Sequence, residues 1–212
     1  MTVRFVDLGE RDPQALKKLL DQFCGGENCG FAWARRLLRG DGYLYASNGH
    51  IVVRVPDHPA ILAEELTEIP PNIHANLKRY FSIPYDPSCP FPFPKLPKIQ
   101  PCPVCKGMKR LQYEVCPDCD GEGECGDEEC TRCKGWGRIN QRPAKVGDHL
   151  CDYCDGYGED PACKTAIGGI TYANRYLRLI KKSPGVKLFP TGPETPMVCL
   201  FEGGELLLMP MR

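Results

Sequence analysis

Four short segments of this chain have residue types and spacing suited to metal chemistry. They are Cys102-Pro-Val-Cys105-Lys-Gly107, Cys116-Pro-Asp-Cys119-Asp-Gly121-Glu-Gly123, Cys130-Thr-Arg-Cys133-Lys-Gly135-Trp-Gly137 and Cys151-Asp-Tyr-Cys154-Asp-Gly156-Tyr-Gly158. A Cys-x-x-Cys turn sets two sulfurs on one side of a metal ion, and the glycines permit the positive φ that turns backbone amides back toward the thiolates. Two such turns complete a tetrahedral four-thiolate site, so Cys102, Cys105, Cys116, Cys119, Cys130, Cys133, Cys151 and Cys154 predict two zinc ions per chain. A closed four-thiolate site has no open position for water, so the expected role of the metal is to fold the segment around it. Disulfide or redox use is the minor alternative. The chain start, Met1 to Asp12, lacks the apolar region of a secretory signal, and the expected compartment is a reducing cytoplasm, where clustered cysteines favour metal over disulfides.

Nine of the 14 cysteines fall within the 53 residues from Cys102 to Cys154, and Cys163 follows. A proline-rich run from Ile83 to Pro103 precedes the block and reads as an extended connector, because proline fixes φ and withholds a backbone donor. Ordinary globular composition resumes at Ala166. The block therefore reads as an insertion over residues 100–164, between a first half with its connector (1–99) and a second half (165–212). Of the remaining cysteines, Cys125 is an extra thiol that competes as a ligand. Cys24, Cys29, Cys89, Cys163 and Cys199 take no assignment, although Cys24 and Cys29 form a loose pair.

The flanking halves carry ordinary α+β patterning. Val3 to Leu8 alternates as a strand, and Asp12-Pro13 then caps a helix whose apolar positions are Ala15, Leu16, Leu19, Leu20 and Phe23. Strands are expected over Phe31 to Leu38, Tyr43 to Ser47 and His50 to Val55, with Gly40-Asp41-Gly42 and Asn48-Gly49 as turns. The second half reads as a strand at Gly169 to Tyr172, a helix from Asn174 to Lys182, and strands at Val186 to Phe189, Met197 to Phe201 and Glu205 to Met209. The order β-α-β-β-β thus occurs twice.

Charge divides along the same boundaries. The whole chain has 27 basic and 27 acidic residues, but residues 101–163 carry 8 against 13, a net −5, which leaves +5 on the rest. An acidic arm repels phosphate, so protein contact is expected of it, with Trp136, Tyr153 and Tyr157 as contact aromatics. DNA is expected only at the body, through Lys17 and Lys18 on the first helix and Arg175, Arg178 and Lys182 on the second; the alternative for these cations is a solvated face. No apolar run is long enough for a membrane helix, and no small-molecule substrate is indicated. No phosphate loop, open zinc set or Ser/His/Asp grouping is evident, and His50, His58, His74 and His149 lie outside any motif, so a thiol or zinc enzyme ranks last.

Two family resemblances sharpen these expectations. The fourfold Cys-x-x-Cys-x-Gly-x-Gly arrangement resembles the cysteine-rich zinc domain of DnaJ-type co-chaperones. It implies a β-hairpin module in which the outer repeats (Cys102, Cys105, Cys151, Cys154) share one zinc and the inner repeats (Cys116, Cys119, Cys130, Cys133) the other. The first repeat departs from it, with Lys109 in place of the second glycine. A J-domain His-Pro-Asp is missing, since Asp57-His58-Pro59 has the wrong order, but chaperone-type handling of unfolded protein remains the alternative function.

The chain's closing segment, Gly203-Gly204-Glu-Leu-Leu-Leu-Met209-Pro210-Met211-Arg212, resembles the end of bacterial DNA sliding clamps. Tyr45-Ala46-Ser47-Asn48-Gly49-His50-Ile51 resembles the clamp hairpin, and Tyr172 to Ile180 the clamp helix. This resemblance implies a single clamp-like domain, built from the two β-α-β-β-β halves and interrupted by the zinc module. It also implies a peptide groove at Met209, Pro210 and Met211 with Leu177 beneath it. A clamp ring needs six such domains and this chain has room for one. The expected function is therefore non-enzymatic engagement of replication or repair proteins, in the manner of a phage or mobile-element accessory.

Overall fold

The computed structural model describes residues 12–25, 29–59, 61, 66–146 and 149–211. They form two compact units, one of the residues up to Leu96 and from Lys164 onward, the other spanning Pro97–Cys163. The described residues contain three α-helices and are otherwise dominated by β-strands. The expected strand at Val3 to Leu8 lies outside the described residues.

In the first unit, α1 (Pro13–Asp21) starts where Asp12 accepts a hydrogen bond from the Gln14 amide at 3.0 Å and Pro13 occupies the first turn. Its buried stripe is Leu16 and Leu20, with Phe23 just beyond its end. The next segment departs from expectation. Ala32–Ala34 is a 3-10 turn, and the strand β1 covers only Leu37–Gly40. The physical reason is local: the Ala34 carbonyl accepts from the Gly25 amide at 2.8 Å and so is not available to a strand ladder. Strands β2 (Tyr43–Ser47) and β3 (Ile51–Pro56) follow as a meander, with Asp41 and Gly42 both at positive φ in the first turn.

Two elements have no counterpart in the sequence reading: the short strand β4 (Leu66–Glu68) and the helix α2 (Pro71–Tyr80). Pro70-Pro71 reads as a breaker, yet proline is favoured in the first helical turn, where no intrahelical donor is needed. Only Leu77 of α2 is fully buried, so its apolar periodicity is weak.

The second unit contains strands β5 to β9, and the chain returns to the first unit at β10 (Lys164–Ile167), which pairs with β11 (Ile170–Ala173). Helix α3 (Asn174–Ile180) then leads into β12 (Lys187–Phe189), β13 (Met197–Phe201) and β14 (Gly204–Leu208). Seven strands make one sheet in the order β12-β13-β14-β3-β2-β1-β4, antiparallel except for β1 with β4. Each half thus contributes a helix followed by a three-stranded meander, and the two meanders join through their last strands, Leu206 opposite Val53 and Leu208 opposite Ile51.

Strand alternation assigns the two faces. Ile51, Val53, Val55, Leu206 and Leu208 share one fully buried face, and burial of each such side chain contributes about 1.5–3 kcal/mol. On the other face Leu38 and Tyr45 pack with Leu77 and Ile73 of α2, while Phe189, Val198 and Leu207 pack with Tyr80, Phe81 and Tyr85. Arg54 and Glu205 are opposed on this face and ion-paired at 2.6 Å, with the guanidinium 4.1 Å from the Phe81 ring centroid. The proline-rich run carries an isolated bridge from Phe91 to Leu188 and no further regular structure up to residue 100. Among the described residues no helix is long and apolar enough to cross a membrane.

Candidate metal centres

The four Cys-x-x-Cys turns adopt one conformation. In each, the residue after the second cysteine has positive φ although it is not glycine: Lys106 at 52°, Asp120 at 47°, Lys134 at 52° and Asp155 at 50°. A glycine at positive φ follows in every case. The position of the second glycine is also left-handed throughout, at 87° for Gly123, 65° for Gly137 and 76° for Gly158. Lys109 adopts the same conformation at 72°. The amides of Gly123, Gly137 and Gly158 donate to the sulfurs of Cys119, Cys133 and Cys154 at 3.2–3.3 Å, and the amide of Lys109 donates to Cys105. The departure of the first repeat from the glycine pattern is therefore one of side chain only.

Backbone hydrogen bonds join the turns in reciprocal pairs. The Cys102 amide donates to Gly158 O at 2.9 Å, and the Cys151 amide donates to Lys109 O at 2.9 Å. Within the inner pair, Cys116 donates to Gly137 O at 2.9 Å and Cys130 to Gly123 O at 2.8 Å. These ladders bring the two backbones too close for side chains: a Cβ on Gly137 would lie 2.1 Å from Gly121 O, and one on Gly123 2.4 Å from Gly135 O.

The result is two buried sets of four sulfurs, Cys102/Cys105/Cys151/Cys154 and Cys116/Cys119/Cys130/Cys133, with all sulfurs of a set within 4.8 Å of one another. Across the paired turns, Cys102 lies 3.8 Å from Cys151, Cys105 3.7 Å from Cys154, Cys116 3.8 Å from Cys130 and Cys119 3.7 Å from Cys133, sulfur to sulfur. A disulfide needs sulfurs about 2.05 Å apart. A tetrahedron with each thiolate about 2.3 Å from a central ion has an edge of about 3.8 Å. The donor sets fit a metal ion on this geometry.

Their electrostatics agree. The amide of Cys133, against the opposing effect of burial, holds Cys130 down to about 6, whereas burial pushes Cys133 up to about 11 and raises Cys154 as well. Four sulfurs packed this closely cannot all ionise without a compensating cation, and a bound dication takes coordinating thiols as thiolates.

The module's strands explain the pairing. Strand β5 (Arg110–Val115) leaves the first turn and enters the second, and β8 (Arg138–Ala144) leaves the third and pairs antiparallel with β5. The short strand β9 (His149–Leu150) then pairs with the start of β5 and delivers the fourth turn beside the first. An antiparallel hairpin with a site at each end must pair outer with outer and inner with inner. Six strand residues hold the two sites about 20 Å apart. Between β5 and β8, β6 (Glu124–Cys125) and β7 (Glu128–Glu129) form a two-residue hairpin. The entry and exit of the module also meet, with Asp160 N donating to Gln100 O at 2.9 Å.

The other candidate residues take varied positions. Cys125 is exposed, donates to Asp118 O at 3.4 Å and lies outside both sets. Burial raises Cys24 to about 12, which disfavours a reactive thiolate there, and raises the fully buried Cys199 too. His149 meets the Tyr113 ring edge at 5.6 Å and is not part of either set. Of the groove candidates, Leu177 is fully buried in α3, Pro210 is half-buried and Met211 is 36 % exposed. Met209 alone of the four lines a cavity of about 190 Å³, together with His50, Val52, Ile73, Tyr80 and Leu207.

Of the cations considered for DNA, Lys17 pairs with Asp21 at 3.2 Å, and Lys18 and Lys182 are exposed. Arg175 and Arg178 are half-buried, and Arg175 donates to the Tyr176 hydroxyl at 3.0 Å. Helix α3 buries Tyr176 and Leu179 as well as Leu177 and Ile180, so its cationic stripe is narrower than the sequence spacing implies. The chain matches no family model, no curated protein and no solved structure.

Proposed function

We propose that this chain is a non-enzymatic interaction protein whose arm, the second unit, is folded by two structural zinc ions and whose body presents a separate protein-binding surface. The observation that carries the zinc reading is the composition of the arm's interior. Its buried clusters contain the eight cysteines, and among the described residues Leu111 is the sole large aliphatic side chain fully buried with them. A unit of 67 residues, Pro97–Cys163, with that little apolar burial gains its stability from metal. Zinc is favoured by four soft thiolates in a closed tetrahedral set. When bound, the ion supplies a fixed positive charge and four covalent-like tethers, and the chain's amides orient the sulfurs around it.

Metal analysis of protein purified under reducing conditions is expected to give two zinc per chain. Full occupancy by another metal, or a metal-free chain with ordered arm resonances, would overturn the assignment. For the body, the reading as a single sliding-clamp-like domain rests on the doubled helix-plus-meander order and on the clamp-like sequence segments. That reading places a linear peptide of a replication or repair protein at Met209, Pro210 and Met211 with Leu177 beneath them, and of these Met209 lines the cavity of about 190 Å³ that includes His50. Binding assays with peptides from polymerases and clamp loaders test it, and a lack of binding to any of them argues for the arm as the contact surface, in the manner of a zinc-dependent protein-binding module.

A further inference from the structure

The arm's net negative charge conceals a polarised distribution. Residues 130–145 hold five cations (Arg132, Lys134, Arg138, Arg142, Lys145) and no acid, whereas the remainder of 101–163 holds three cations and 13 acids. The third Cys-x-x-Cys turn and strand β8 therefore form a cationic edge on an otherwise acidic module. Along this edge runs an open cleft of about 560 Å³, lined in part by Tyr113, Arg132, Lys134, Trp136, Arg138 and Gln141, with no carboxylate in its lining.

Its indole is exposed, whereas Tyr113 is half-buried. Trp136 is 72 % exposed, although an indole buried against the protein would contribute far more to the stability of so small a unit. The turn fixes the backbone that carries the indole: Trp136 stands between Gly135 and Gly137, both at positive φ, and its amide donates to Cys133 O at 3.2 Å. Arg138 lies 5.7 Å from the Tyr113 ring centroid. Arg132 pairs with Asp118 at 2.9 Å, but both side chains are about half exposed, and such a pair exchanges readily for a phosphate. Asn140 is held by Glu114, while the neighbouring Gln141 lines the cleft with a planar amide.

We propose that this cleft binds single-stranded nucleic acid, with a base stacked on Trp136 and backbone phosphates on Lys134, Arg138 and Arg132. The combination of an exposed indole on a held backbone, cations on its flanks and a planar amide beside them is the composition of a stacking platform in a positive groove. An acidic peptide would use the cations but has no need of an exposed indole plane. The inference goes beyond the protein-contact reading and rests on the zinc reading in one respect: the cleft exists only while the inner zinc site is folded.

The test uses the full zinc-loaded chain and a fluorescently labelled thymidine oligonucleotide of about 12 nucleotides, within the range of known single-strand sites. Binding is expected at low salt, with a log–log salt slope near −2, since three phosphate contacts each contribute about −0.7. Trp136→Ala is expected to weaken it about tenfold or more and Trp136→Phe much less, while Lys134→Gln lowers the salt slope by about one contact. Absence of binding at low salt overturns the proposal. So does binding that Trp136→Ala leaves unchanged, which would place the oligonucleotide on the body. Displacement by polyglutamate as effective as by unlabelled oligonucleotide would show that the cleft reads negative charge alone, and that outcome assigns it to acidic protein instead. Zinc content measured on each variant separates the two readings. Fewer than two ions on the wild-type chain speaks against the metal-folded arm, whereas two ions without bound oligonucleotide overturns the cleft assignment only.

Discussion

Four cysteine turns share a conformation that costs backbone strain at every non-glycine left-handed residue, and the strain is tolerated because each turn is held by sulfur, amide and neighbouring turn together. Lys109 is the informative exception. It is expected to be replaceable by glycine without loss of zinc, and relief of its left-handed backbone should stabilise the outer site by about 1 kcal/mol, read as a slower transfer of zinc to a chromogenic chelator. Gly137→Ala should do the opposite. Its Cβ would fall 2.1 Å from Gly121 O, a backbone atom that cannot swing away. The expected outcome is loss of one zinc of two, measured by metal analysis, with the outer site retained. The sequence pattern alone marks the cysteines and the glycines, but it offers no signal for the left-handed Lys106, Asp120, Lys134 and Asp155, because lysine and aspartate carry no general preference that singles out this conformation.

At the scale of elements, the body's sheet contains a charge pair where its alternation would otherwise place apolar residues. Arg54 and Glu205 lie opposite each other on adjacent strands, 18 % and 10 % exposed, under the Phe81 ring. Glu205→Ala leaves the guanidinium without its carboxylate and should cost about 3 kcal/mol, seen as a lowered denaturant midpoint of the body. Replacement of both residues by Met and Leu should recover most of that loss. The β1–β2 turn contains a second linked group. Hydrogen bonds from Lys78 and His74 of α2 hold Asp41 below its ordinary 3.8. A carboxylate depressed in the folded state contributes stability that is present above its unfolded value and is lost as pH falls through the folded one. Thermal unfolding of wild type and Asp41→Asn should therefore differ at pH 7, and the difference should shrink as pH falls below the ordinary 3.8 toward the lowered folded-state value; an undiminished difference in strong acid would contradict the contact. Helix α2 itself was illegible in the sequence, since its single fully buried side chain, Leu77, sets no period; the sheet face that it covers decides its existence.

The molecule as a whole comprises two units stabilised by different means, one by a seven-stranded sheet with helices and the other by eight sulfurs and one leucine. Chelation of the metal under reducing conditions should accordingly abolish amide-exchange protection across residues 97–163 and leave the strands of the large sheet protected. Simultaneous collapse of both would contradict separate cores. Chemistry of this kind is local in sequence, and so the two-sulfur turns could be read directly, as could the helix-then-meander order of each flanking half among the described residues: a Cys-x-x-Cys turn brings its two sulfurs together without help from distant residues. Residues 31–36 show the limit, for an apolar run specifies burial but not whether its carbonyls meet a neighbouring strand or, as with Ala34, the amide of Gly25. Net charge is limited in the same way. The count of −5 over the arm and the run of cations at 130–145 are fixed by the sequence, but only folding sets Arg132, Lys134 and Arg138 around one cleft with Trp136 and Tyr113. Which turns gather into one four-sulfur set was likewise decided by tertiary structure, because the antiparallel pairings of β5 with β8 and of β5 with β9 are long-range contacts: the first brings the inner turns together and the second returns the fourth turn to the first.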